Sequence, residues 1–230
     1  MQSDTLPLKS AQVTFFTRLD LTDKLAVATK LQTALAPLLD GEPLVMPAFP
    51  DAPPEIPQIV LRDAVATHQC LVTPARVDLA YVPSTSDNAE IPSHHSIQTI
   101  LEPAARLLSL IRTDLSSRVT RLGLVTQFQL QLDENAIDFA RRHFLAPDAP
   151  TGRRALELSF LDRIQLASLT VNRWIRIKTH PNQVSLLALV ADLNTLAEEE
   201  LDLTEAQTAE FFDQSVKYLH TDFPNAVHLA

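Results

Sequence analysis

Glycine is nearly missing from this chain. Three occur in 230 residues, Gly41, Gly123 and Gly152. No two stand close enough to form G-x-G-x-x-G or G-x-x-x-x-G-K-[ST]. A loop that closes backbone N–H groups around a phosphate needs several such residues. A Rossmann dinucleotide site, a P-loop and a kinase glycine loop are therefore set aside. Neither G-x-S-x-G nor H-E-x-x-H occurs. Cysteine is scarcer still. Cys70 stands alone, so the chain has no internal disulfide and no thiolate zinc cluster. Its setting, Thr67-His-Gln-Cys-Leu-Val-Thr73, is apolar and alternating and reads as a buried structural thiol. No apolar run approaches the roughly 18 residues that cross a bilayer. The start, Met1-Gln-Ser-Asp-Thr-Leu-Pro7, lacks the basic and apolar regions of a secretion signal. The expectation is a soluble cytoplasmic protein with no membrane partner and no cofactor.

What is present suits a packed core: hydrophobic residues make up 46% and charged residues 20%. The stretch from Arg153 to Asn194 organises the rest. Ser168–Lys178 alternates, with Val171, Arg173, Ile175 and Ile177 to one side and Asn172, Trp174, Arg176 and Lys178 to the other. After a tight connection at His180-Pro-Asn-Gln183, Val184–Asp192 is almost wholly apolar, the mark of a strand deep in a sheet.

Upstream, Ala11–Asp20 reads as a strand. Leu21, Leu25, Ala28, Leu31, Leu35 and Leu38 then place a helix over about 22–36, capped by Thr22 or Asp20 and ended by Pro37 and Gly41. The six prolines between Glu42 and Pro57 predict an edge segment or stiff loop. Strands follow near Gln58–Asp63 and Thr67–Val82. The polar run Pro83–Ser96 breaks all periodicity and reads as a linker. A helix with Pro103 in its first turn buries Ala104, Leu107, Leu108, Ile111 and Leu115. Val119–Leu132 is a strand that bends near Gly123 and Val125. A short helix over Asn135–Phe144 turns Ile137, Ala140 and Phe144 inward, and 146–152 is a turn-rich loop. A helical patch at Glu198-Glu-Glu200 leads to Thr204-Glu-Ala-Gln207, a capping box that opens a last helix to about His220, with Pro224 preventing continuation.

The class is α+β: mostly antiparallel sheet with helices packed on one face, in two similar β-rich halves. The halves are 1–83 and 97–230, joined by 84–96, or else form one compact domain. Regular βα alternation is absent.

Charge is segregated along the chain. The net charge is −9. No lysine or arginine lies between Lys178 and Lys217, where eight acids fall, from Asp192 to Asp213. Just before, 141–178 holds eight bases against three acids. A basic sheet face and an acidic helical end can attract each other within one molecule or between two copies. The candidate interaction surface is Arg153, Arg154, Arg173, Trp174, Arg176 and Lys178 with Glu198, Glu199 and Glu200. No catalytic, cofactor-binding or metal-ligating residue is singled out. His94 and His95 are adjacent and so point apart, whether on helix or strand. His220 at a helix C-terminus is accounted for by the helix dipole.

Three short segments carry a resemblance: Arg121-Leu-Gly-Leu124 opening a strand, Asp192-Leu-Asn194 ending the apolar strand, and Leu219-His220 with Asn225-Ala-Val227 near the C-terminus. In these the second half, 119–230, resembles a sporadically distributed family of bacterial proteins of unknown function, sometimes found near mobile or defence genes. The resemblance implies an α+β fold and supplies no active site. Together these features favour a non-enzymatic protein-binding or regulatory protein, with a protein partner or a second copy of itself in a homodimer, within a defence-type or other multi-subunit assembly. The alternatives are a metal-dependent hydrolase or nuclease with a carboxylate site near Asp192, helped by Asp202 or Glu198, and a nucleic-acid binder through Arg173, Trp174 and Arg176.

Overall fold

The computed structural model describes residues 6–47, 53–83, 93–145, 154–198 and 201–227. Along the chain run β1 (Leu8–Thr17), α1 (Lys24–Leu35), β2 (Leu44–Val45), β3 (Ile59–Arg62), β4 (His68–Val72), β5 (Arg76–Tyr81) and α2 (Ser93–Thr113). Then come β6 (Val119–Gln131), α3 (Ala136–Phe144), β7 (Glu157–Leu166), β8 (Leu169–His180), β9 (Gln183–Thr195) and α4 (Glu205–Ala226). Among the described residues the nine strands make one antiparallel sheet in the order β2-β3-β4-β5-β1-β6-β9-β8-β7, with the four helices against it.

That order contains a repeat. The run β1-α1-β3-β4-β5-α2 is matched by β6-α3-β7-β8-β9-α4, and each half lays its first strand beside its last. The two first strands, β1 and β6, pair antiparallel in the middle of the sheet. The topology thus has the symmetry of a two-fold axis passing between β1 and β6. The same spacing in sequence separates the starts of α1 and α3 (Lys24, Ala136) as those of α2 and α4 (Ser93, Glu205). The first half carries one extra strand, β2, which covers the outer edge of β3.

Strict alternation along the strands sends one row of side chains into a core shared by both halves. Ala11, Val13 and Phe15 of β1 stand opposite Thr126, Leu124 and Leu122 of β6. Beyond them lie Leu79 and Val77 of β5 and Leu193, Ala191 and Leu189 of β9, all buried in the same cluster. The helices close this side. Phe212 of α4 meets Phe15 edge-on at 6.2 Å, and Phe223 lies against Phe128 at 5.5 Å. Such aromatic contacts add to the area-proportional gain of burial.

The hairpin at Pro181–Asn182 and the alternation of β8 fall where the sequence places them. Other boundaries move. The run 67–82 is two strands, because Thr73-Pro74-Ala75 turns back, with the Thr73 hydroxyl accepting from the N–H groups of Ala75 and Arg76. α1 is capped by Asp23, whose carboxylate accepts from Ala26 N–H. Asp20 instead accepts from the Thr22 N–H and hydroxyl ahead of the helix. Leu25 lies 68% exposed, while Val27 takes the inward position.

α2 starts well before Pro103, which is interior. Ile97 and Ile100 extend the buried row upstream, and that burial outweighs the roughly 3 kcal/mol cost of a helical proline. α4 likewise runs through Pro224, anchored by buried Phe223 and Val227, so His220 is not at its C-terminus. α3 buries Phe139 rather than Ile137. β6 keeps regular register with β9 from Gly123 onward and with β1 from Arg121 to Gln127, so no bulge falls at Gly123 or Val125. Ala197 and Glu198 form a turn, not a helix. Residues 84–92 of the expected linker, the loop at 146–152 and the side chains of His94 and His95 lie outside the described residues.

Candidate functional site

Among the described residues no helix lies on the other face of the sheet. Its residues follow from the register. One row across the sheet reads Leu161, Trp174, Asp192, Val125, Gln12, Ala80, Gln69, Arg62. The next reads Arg163, Asn172, Asn194, Gly123, Thr14, Asp78, Leu71, Val60. Val60 and Ala80 are buried yet lie outside the main core cluster, as residues of the opposite face must. Most of this face is half-buried by its own neighbours, and its polar groups are held against one another.

Each half contributes one acid from its last strand. Asp78 on β5 is 2% exposed. It accepts from the Thr14 hydroxyl at 2.6 Å and the Gln12 amide at 3.0 Å, and Arg76 lies 2.9 Å away. Full pairing is what allows a carboxylate to be buried. Asp192 on β9 is less well served. The Asn194 amide donates to it, and the Arg176 guanidinium stands 3.8 Å off. Burial pushes the Asp192 carboxyl above its ordinary range, against the opposing pull of Arg176, Asn194 and Arg121.

Gly123 makes room for Asn194. A Cβ built there would lie 2.5 Å from Asn194 Oδ1. Above the pair, Arg121 lies over the Phe16 ring at 4.5 Å and donates to the Thr195 carbonyl. Trp174, opposite Asp192, has the Arg176 guanidinium 5.5 Å from its ring. On its other side stands Leu161 of β7, 53% exposed.

The residues expected to form an interaction surface are divided by the sheet. Trp174, Arg176 and Lys178 share the open face. Arg173 points to the helical side, where it donates to both oxygens of Asp162 and to the Tyr218 hydroxyl. β8 therefore does not present Arg173, Trp174 and Arg176 together to a nucleic acid. Lys178 pairs with Glu157 at 2.9 Å. Glu198 binds Arg163 at 2.6 Å, which ties the acidic segment to the basic one within a single molecule. Arg154 is exposed just ahead of β7. Arg153, Glu199 and Glu200 lie outside the described residues.

The acids considered for a hydrolytic site go to different cations: Asp192 to Arg176, Glu198 to Arg163, and Asp202 to Arg112 and Arg118. No group of three metal-ligating side chains occurs among the described residues. Among the same residues no helix is long and apolar enough to cross a membrane.

Sequence reasoning missed the network around Asp78. The signal was there: a lone acid inside Val77-Asp-Leu-Ala-Tyr81, and a polar Gln12-x-Thr14 alternation in β1. No protein-family model matches the chain, and no curated protein matches it.

Proposed function

We propose that this chain is a non-catalytic protein-binding module that works through the open sheet face of its second half. The observation that carries this reading is the spot formed by Trp174 and Leu161. These are two large apolar side chains, adjacent in register on a face that carries no helix among the described residues, and charged groups surround them: Arg163, Arg176, Lys178, Glu157 and Asp192. An aromatic centre inside a polar rim is the usual anatomy of a protein interface, and tryptophan and arginine are over-represented among the residues that dominate binding. The cations of the face are largely matched by local acids, which favours a protein partner over a phosphate backbone.

The resemblance to the sporadically distributed bacterial family is kept as part of the proposal. Two segments that carry it, Arg121–Leu124 and Asp192–Asn194, are neighbours on β6 and β9, with Gly123 directly opposite Asn194. The setting proposed with it is a defence-type or other multi-subunit assembly.

The test compares immobilised wild-type protein with Trp174→Ala in quantitative capture from cells of the source organism. Arg62→Glu, at the far end of the same row, is the control. Specific partners should fall at least tenfold with Trp174→Ala and persist with Arg62→Glu. Equal capture by all three proteins would refute the reading. Salt-labile capture of nucleic acid in place of protein would also refute it.

A further inference from the structure

The sheet ends very differently on its two sides. At one end β2 is two residues long and lies between Pro43 and Pro47, neither of which has an N–H to donate to a ladder. At the other end β7 has ten residues, contains no proline, lysine or glycine, and pairs with β8 without a bulge. Seven of its ten residues are exposed, among them Phe160 at 45% and Leu161 at 53%. In the first half the equivalent strand, β3, is covered by β2; among the described residues nothing covers β7. A long, regular, partly apolar edge is a template for another strand.

We infer that β7 pairs antiparallel with β7 of a second copy of this chain, joining two sheets into one continuous sheet across a two-fold axis. This deepens the reading of the protein as an interaction platform by naming its first partner.

Charge selects the register. A two-fold axis normal to the sheet keeps each side chain on its own face, so only registers that place one residue opposite itself are allowed. With Phe160 on the axis, Glu157 of each copy faces Arg163 of the other, and the two Phe160 rings meet on the helical side. Directly opposed residues lie about 4.5–5.5 Å apart, within ion-pair reach. With Leu161 on the axis, Glu157 faces Gln165 and Phe160 faces Asp162. With Asp162 on the axis, two carboxylates face each other. The first register alone gives two opposite-charge pairs and an aromatic pair. Glu157 then lies between Lys178 and the partner's Arg163, and Arg163 between Glu198 and the partner's Glu157, so charges alternate across the seam. The open faces of both copies, each with its Trp174, also become one surface.

Sedimentation of the protein reads this directly. The wild type should run at twice the 25.5 kDa of the chain. Glu157→Arg and Arg163→Glu should each weaken the dimer at least tenfold, and the double variant should restore it. Restoration isolates the cross-copy pair, because the swap places Arg against Lys178 and Glu against Glu198 within each molecule. In a second measurement, Phe160→Cys should oxidise to a covalent dimer while Leu161→Cys does not; native Cys70 is buried and does not compete. A monomer at about 100 μM would overturn the inference. So would a dimer indifferent to both charge variants and not cross-linked through position 160. A monomer whose partner capture still depends on Trp174 would sink the dimer and leave the binding face standing. A dimer whose capture ignores Trp174 would do the reverse.

Discussion

Replacing Gly123 by alanine tests the centre of the open face. Gly123 lies in extended strand and pairs with Asn194 across β6 and β9. Its backbone does not require glycine; the space above it does. The added methyl would lie 2.5 Å from Asn194 Oδ1, with only ordinary contact, at 3.6 Å, to Thr14 Cβ. The Asn194 side chain must therefore swing away, and its amide leaves Asp192. A hydrogen bond to a charged group is worth about 1.5–3 kcal/mol. Alanine in place of glycine returns about 0.5–1 kcal/mol through the unfolded chain. The net loss is about 0.5–2.5 kcal/mol, which for a chain of this size lowers Tm by roughly 1–10 °C. The decisive assay is a double-mutant cycle by thermal or urea unfolding. Asn194→Ala removes the same hydrogen bond, so adding Gly123→Ala to that background should be neutral or mildly stabilising. If Gly123→Ala costs as much in the Asn194→Ala background as in the wild type, the clash does not lie where this reasoning puts it. The cost should also fade in acid, because a protonated Asp192 no longer depends on its donor.

Asp192→Asn should raise stability at neutral pH. Burial raises the carboxyl's folded pKa above its ordinary 3.8, so the folded state holds the proton more tightly and loses stability as pH rises through the folded value. The Tm advantage of the variant should shrink as pH falls toward 3.8, and a lower Tm than wild type at pH 7 would refute this. Cys70, its thiol pushed far up by burial and further by the nearby Asp78 charge, should ignore a disulfide reagent at pH 8 until the protein is unfolded in guanidinium; labelling of the native protein within minutes would refute the placement. Thr204→Ala should lower Tm by roughly 2–4 °C, since the capping box satisfies two helix-end donors and is worth about 1 kcal/mol, while Thr204→Ser should leave it nearly unchanged.

Where a pattern is local, the sequence discloses it. The alternation of β8, the apolar β9, the hairpin at Pro181–Asn182 and the Thr204–Gln207 cap depend on neighbours a few residues apart, and all are found. Where tertiary burial competes with a local rule, the rule loses. Pro103 and Pro224 sit inside helices because Ile97 and Ile100, and Phe223 and Val227, are worth more buried than the prolines cost. Partners far apart in sequence stay hidden. Nothing in the text of β1 says that Thr14 will donate to Asp78, sixty-four positions on, or that Gly123 clears a space for Asn194. The alternation of β8 itself separates Arg173 from Trp174 and Arg176, so charge counted along the strand is not charge on one face.

The internal repeat turns the molecule into its own control. Both halves place an acid on the open face of the last strand, yet Asp78 is closed over by Thr14, Gln12 and Arg76, whereas Asp192 keeps one amide and a guanidinium at 3.8 Å. Both halves end in an outer strand, yet β3 is covered by β2 while β7 is the last strand of the sheet among the described residues. One architecture has been built twice and finished once. Stability explains the finished half: Asp78 is held by Thr14, Gln12 and Arg76, and the edge of β3 is covered by β2. Stability does not explain the other, where an under-served carboxylate costs folding free energy and a ten-residue edge, uncovered among the described residues, is open to pairing with another chain. Both departures fall on β7–β8–β9, on either side of Trp174. If they were incidental they would have no reason to share a half. A surface that becomes complete only when another chain is laid against it accounts for both at once, and for why the apolar centre of that surface sits between them.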